Sequence, residues 1–242
     1  MEQLEFRSFL ESKGFSSESY DKLELYLSMI DEASKKFNLT GYKTKSDMRR
    51  GLIFDSISPL TDLCVPRGTS FVDIGTGSGV PGVVLCILFP FLNGVLVDSN
   101  NKKIDFISES ASKLCLSNLT AVSARGEDFS LSKNNKEKFD FCVTKAFGPL
   151  YYSAEFSAPV LKENGFLYIY SHLSDEVLSH VLKIHFSNVG LFPGSSEERK
   201  NTGISEKGLF WVKKNKTPSC YPRKFPIIKR EASKTPETIP SE

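Results

Sequence analysis

The stretch "SFVDIGTGSGVPGVVLCILFP", residues 70–90, constrains the fold more than any other part of this chain. An apolar run ends in Asp73, the glycines Gly75, Gly77, Gly79 and Gly82 follow, and a second apolar run begins. Glycine permits tight turns and close approach of a ligand to the backbone. The stretch therefore reads as a strand, a turn and a helix whose first N–H groups point outward, where an anion is favoured. In doubly wound α/β sheets the crevice beside such a strand end is the ligand site.

The downstream pattern agrees. Short β-type runs occur at "SFVDI", "GVLVDS", "LTAVSA", "FDFCVTKA", "GFLYIY" and "GLFWVKK", with helix-length segments at 80–89, 101–116, 149–162 and 174–186. Strand–helix alternation predicts a mostly parallel sheet covered on both faces. "NVGLFPG" and "GLFWVKK" are joined by "SSEERKNTGISEK", which has no helical period, so the sheet is expected to end antiparallel through a loop. Residues 1–66 read as an N-terminal helical segment. Tyr20, Leu23, Leu27, Ile30 and Phe37 share one helix face, Ser17 is a candidate cap, and Asp47 is a candidate cap for a further helix. The domain of interest then spans 67–215, and 216–242 is expected to be a basic, partly disordered tail.

Composition removes several function classes. A formal charge of +2 on 242 residues argues for no particular partner. The cysteines (Cys64, Cys86, Cys115, Cys142, Cys220) are scattered, and His172, His180 and His185 lack partners at metal-ligand spacing, so no metal is expected. The N-terminus is not that of a signal peptide, and no apolar run approaches the ~20 residues of a membrane span. A monomeric cytoplasmic protein with buried, reduced thiols is expected. One charge cluster stands out. Lys213, Lys214, Lys216, Arg223, Lys224, Lys229 and Arg230 precede the next acid, Glu231, and are interleaved with Tyr221 and Phe225, a pattern suited to RNA phosphates and bases.

"GSGVPG" formally matches the dinucleotide fingerprint, a weak signal alone. A second strand ends in Asp98, where ribose hydroxyls would arrive, and this fits NAD and S-adenosylmethionine equally; Asp98 could also simply cap the next helix. "SARGEDF" then places Arg125, Gly126, Glu127 and Asp128 at the third strand end, and "TKAFGPL" follows the fourth. These strand ends, in this order, resemble the Rossmann-like S-adenosylmethionine-dependent methyltransferases, whose mostly parallel sheet has an antiparallel last strand. Together with "FNLTG", "DSISPL", "VDSNNKK" and "YPRK", over residues 37–223, the chain resembles the small-subunit ribosomal RNA methyltransferase G family, also called glucose-inhibited division protein B.

The resemblance implies transfer of a methyl group from S-adenosylmethionine to guanine N7 in 16S ribosomal RNA, on naked RNA or on the small ribosomal subunit. It implies a cofactor site at Asp73, Gly75, Gly77, Gly79, Val80, Asp98, Gly126 and Glu127. It implies a basic pocket residue, expected to be catalytic, at Lys145. RNA contacts are expected at Lys145, at Arg125 on the third strand end, at Phe147 beside Lys145, where core packing is the equal alternative, and at Arg223 and Lys224 of the basic tail. Three places depart from the family pattern. Gly51-Leu52 stands for Arg-His, Lys145 for Arg, and Tyr170-Ser171 for Lys-Gly. These departures keep open a same-fold methyltransferase with another substrate, or a non-catalytic RNA-binding descendant.

The residues are compatible with N7 chemistry. Guanine N7 has an available lone pair and no proton, so neither a nucleophile nor a general base is required, and alignment suffices. "TKAFGP" lacks the polar residue and Pro-Pro-aromatic run usual for methylation of an exocyclic amine. N7 lies on the major-groove edge, which A-form RNA hides, so the base must be unpaired or extruded.

Overall fold

The computed structural model describes residues 1–174, 176–234 and Glu237. Among them a seven-stranded sheet runs in the order β3-β2-β1-β4-β5-β7-β6. The strands are β1 (Ser70–Ile74), β2 (Asn93–Asp98), β3 (Leu119–Ser123), β4 (Phe139–Lys145), β5 (Leu161–Tyr170), β6 (Leu191–Pro193) and β7 (Leu209–Lys213). The first five are parallel, β7 is antiparallel to β5, and β6 is antiparallel to β7. Chain direction switches sides between β1 and β4, which opens a crevice at their C-terminal ends.

The period-two alternation of each strand feeds two cores. On one face Phe71, Phe141 and Phe166 occupy adjacent strands and stack at 5.1 and 4.9 Å between ring centroids. Helices α1 (Gln3–Ser12), α2 (Ser17–Ser34), α5 (Gly82–Leu88) and α6 (Asn101–Lys113) cover this face. Leu23, Tyr26, Leu27 and Ile30 of α2 are buried in the same cluster as Val83 and Val84 of α5, so the N-terminal helices share the sheet's core. On the other face Val72, Cys142, Leu167 and Trp211 pack against α8 (Leu150–Ser157), α9 (His180–Asn188) and α11 (Phe225–Ala232). Short helices α3 (Lys45–Met48), α4 (Asp55–Ile57), α7 (Gly126–Leu131) and α10 (Ser196–Thr202) complete the set among the described residues.

Local details differ from expectation for identifiable reasons. Ser16, not Ser17, caps α2 by accepting from Ser19 N. Thr44 caps α3, and Asp47 is its third residue, receiving the Thr44 hydroxyl. The next turn, Arg49–Phe54, is a π-helix. β5 begins four residues before "GFLYIY" because a bulge between Phe139 and Phe141 takes up "KENG", with Asn164 at φ 62°. "SSEERKNT" is not a loop. Ser195 and Glu198 form a capping box that starts α10. The segment at 174–186 becomes helical only after Ser179, which caps α9; Asp175 lies outside the described residues.

The basic tail is also corrected. Lys213 is buried and donates to the carbonyls of Ala158 and Leu161. Lys214 pairs with Glu198, and Arg223 with Glu155 and Glu231. α11 buries Ile228 in the second core. The disorder expected at 235, 236 and 238–242 concerns positions outside the described residues.

Candidate active site

The turn after β1 is held from three sides. Gly75, Gly77 and Gly79 have φ of 75°, 60° and 80°, which disfavour any side chain. Gly75 N and Thr76 N donate to Val97 O of β2, which fastens the turn to the neighbouring strand. Tyr26 of α2 donates its hydroxyl to Ser78 O, and Gly79 makes room for that phenol, so the N-terminal helices brace the turn directly.

Asp73 lies beneath the turn and does not line the cavity above it. It is 1% exposed, and its Oδ2 accepts from Thr76 Oγ1 (2.7 Å) and Gly82 N (2.9 Å). Burial pushes its carboxyl up to about 7, against those two hydrogen bonds. The outward N–H expected at the start of α5 is thus spent on Asp73. Asp73 shapes the turn, and Gly79 likewise lies outside the cavity wall.

Above the turn is a cavity of about 640 Å³, within the usual range of roughly 300–1,000 Å³ for small-molecule sites. Gly75, Gly77, Val80, Asp98, Gly126 and Glu127 line one half. Asp98 accepts from Gly77 N (3.0 Å) through Oδ2 and from Asn100 N (2.9 Å) through Oδ1. Asn100, not Asp98, caps α6. Each Asp98 oxygen keeps acceptor capacity. A Cβ on Gly77 would meet nothing nearer than Gly75 O at 3.9 Å, so backbone there is open to a ligand. This donor and acceptor set fits the ribose and chain of S-adenosylmethionine. Among the described residues no cluster could hold a metal ion.

The other half of the cavity is assembled from remote segments. Lys145, at the end of β4, lines the cavity and is half-buried. Its ammonium donates to Gly51 O (2.8 Å), Leu52 O (3.3 Å) and Ser56 Oγ (2.7 Å). Burial lowers its pKa to about 8, opposed by Asp55 and Asp73. Three donors meet three acceptors, so in this structure the ammonium ties the π-helical turn to β4. Tyr170 at the end of β5 adds a second tie, donating to Ser56 O at 2.5 Å. Gly51 leaves space that the Tyr42 phenol fills.

Phe147 lies over Gly75 and near Gly126, against the cofactor half. Arg125 is exposed at the rim, 3.6 Å from Glu127. Arg223 is not free for RNA. Its backbone N (2.8 Å), Nε (2.9 Å) and a terminal nitrogen (2.5 Å) all donate to Glu155, which is fully buried on α8. Lys224 is exposed but does not line the cavity. Tyr42, Tyr152 and Phe225 do line it and were not singled out as site residues from the sequence. The aromatic interleaving of the tail was the one signal that pointed to Phe225.

Strand order, glycine turn and the acid ending β2 define a Rossmann-like fold with a nucleoside-cofactor site at its switch point. Residues 19–200 match the family described as "GidB: rRNA small subunit methyltransferase G", and the chain belongs to that family. Relatives named ribosomal RNA small subunit methyltransferase G include one from Lactococcus lactis subsp. cremoris, 32% identical over 86% of this chain and 89% of the relative. Another, from Mesoplasma florum, is 32% identical over 95% and 97%. A third, from Bacillus velezensis, is 31% identical over 91% and 94%. A solved methyltransferase from Aquifex aeolicus aligns over 68% of this chain and 90% of its own, with TM-score 0.48 and 17% identity.

Proposed function

We propose that this chain transfers a methyl group from S-adenosylmethionine to guanine N7 in 16S ribosomal RNA, acting as a monomer in the cytoplasm. The observation that carries the reading is the cavity at the β1/β4 switch point, where Gly77 and Asp98 offer a ribose site in a chain of this family. S-adenosylmethionine supplies an activated methyl on a sulfonium. Gly75, Gly77, Val80, Asp98, Gly126 and Glu127 hold and orient it, and Arg125 at the rim contacts a phosphate. No residue need remove a proton, because N7 has none. Cys142 suits no nucleophilic role: it is fully buried, and burial raises its thiol pKa.

A same-fold enzyme acting on another RNA remains the second reading, because Lys145 is committed to Gly51, Leu52 and Ser56. One experiment addresses both. Purified chain is incubated with labelled S-adenosylmethionine and small subunits lacking the modification, and 7-methylguanine is mapped in the 16S RNA. Label at a single guanine supports the first reading. Label absent from 16S RNA but present in another RNA of the same extract supports the second.

A further inference from the structure

The halves of the cavity differ in chemistry. Asp98 at the end of β2 and Glu127 in α7 make the cofactor half polar. Beyond β4 the wall is aromatic. Tyr152 of α8 and Phe225 at the start of α11 both line the cavity, with ring centroids 5.1 Å apart and planes tilted by 41°. Both rings are half-buried, and each keeps surface open to the cavity. The neighbouring Phe156, stacked on Tyr152 at 6.0 Å, is only 2% exposed and already serves the core. Phe147 sits between this pair and the glycine turn, 6.5 Å from Tyr152.

Phe225 reaches the cavity because of an ion pair two residues earlier. Arg223 is fixed to the buried Glu155 by three hydrogen bonds and to Glu231 by one of 2.5 Å. Glu155 and Tyr152 lie one turn apart on α8, so a single helix holds one ring and anchors the segment that brings the other.

We infer that Tyr152 and Phe225 form the stacking platform for the guanine to be methylated, and that the Glu155–Arg223 pair is the positioning device for Phe225. This rests on the proposed RNA substrate. A base lying on one ring meets the other at its edge, as the 41° tilt allows, and Phe147 bridges from Tyr152 to the glycine turn of the cofactor half. An extruded base needs such a surface once its own stacking is lost.

The test uses the full chain and two readouts. The first is single-turnover methyl transfer to unmodified small subunits. Phe225→Ala and Tyr152→Leu should each raise the half-saturating subunit concentration about 10- to 100-fold, the loss typical of one base–aromatic stack. Phe225→Trp should restore it. S-adenosylmethionine affinity, measured by calorimetry, should stay within about two-fold, which separates loss of the platform from loss of the fold. The second readout is quenching of 2-aminopurine in a short single-stranded RNA on binding, which should be lost in Phe225→Ala. If wild type methylates the subunit and both variants keep its half-saturation, the platform is overturned while the function stands. If wild type transfers nothing to ribosomal RNA yet quenches the probe through Phe225, the platform stands and the substrate reading falls. If Phe225→Ala quenches the probe like wild type, the platform falls under either substrate.

Discussion

Arg223→Ala exposes the energetics of the tail anchor. Glu155 is fully buried, and its partners are the Arg223 side chain, the Arg223 backbone N–H and His185, whose Nε2 lies 3.3 Å from Oε1. Truncation removes both guanidinium hydrogen bonds to Glu155 and leaves a desolvated carboxylate. Breaking one side of a buried pair typically costs about 3–5 kcal/mol. Against a total stability of about 5–15 kcal/mol this is large. The sign of its pH dependence follows from Glu155. Burial alone would raise its pKa, but His185 and Arg223 hold it below the ordinary value. In wild type its contribution is therefore present above the unfolded pKa and lost as pH falls through the lower folded one. Without Arg223 burial prevails and the carboxyl titrates above its unfolded value, so its cost shrinks on acidification. The deficit of Arg223→Ala should be greatest at pH 7 and smaller at pH 5. Urea unfolding followed by Trp211, the one tryptophan and 1% exposed, measures it. A deficit below about 1 kcal/mol at pH 7, or one equal at both pH values, would refute the account. Glu155→Gln combined with Arg223→Ala should recover part of the loss, since no charge is left stranded.

Two further outcomes test the cofactor half and the strut. Asp98→Ala should weaken S-adenosylmethionine binding by about 1–3 kcal/mol through lost charged hydrogen bonds, and wild type should bind that cofactor and not NAD; unchanged affinity by calorimetry counts against the ribose role. Lys145→Met should slow methyl transfer more than it weakens cofactor binding; because the folded amine titrates near 8 and the unfolded one near 10.5, wild type should also gain stability relative to Lys145→Met from pH 8 to 10, and a flat difference across that window contradicts the burial of the ammonium.

What was legible in the sequence follows the range of the interactions concerned. β1, β2 and the glycine turn carry a local signature, apolar runs ending in Asp73 and Asp98 with the glycines after the first, although partners as distant as Tyr26 hold the turn in place. α10 was missed although its signal, Ser195 followed three residues later by Glu198, is local; polar residues without apolar period hide a short helix. The partners of the basic residues were hidden for another reason. Arg223 meets Glu155 68 positions away, and Lys145 meets Gly51 94 positions away. A charge run looks the same in sequence whether its cations face solvent or satisfy buried acceptors, because the acceptors are supplied by the fold.

The same contrast explains the departures from the family pattern. Taken singly, Gly51-Leu52, Lys145 and Tyr170-Ser171 look like three separate losses or alterations of a basic position. In the structure they are one network. Lys145 donates to Gly51 O, Leu52 O and Ser56 Oγ, Tyr170 donates to Ser56 O, and the Lys145 ammonium sits 5.8 Å from the Tyr170 ring. Gly51 in turn makes room for the Tyr42 phenol on the cavity wall. Groups sharing partners in this way do not contribute additively. An arginine at 145 would bring a planar fork to acceptors arranged for a compact ammonium, and any side chain at 51 would displace Tyr42. On this side of the cavity Lys145 and Tyr170 tie the N-terminal segment to the ends of β4 and β5. A substitution at any one of these positions should therefore disturb the contacts of the others.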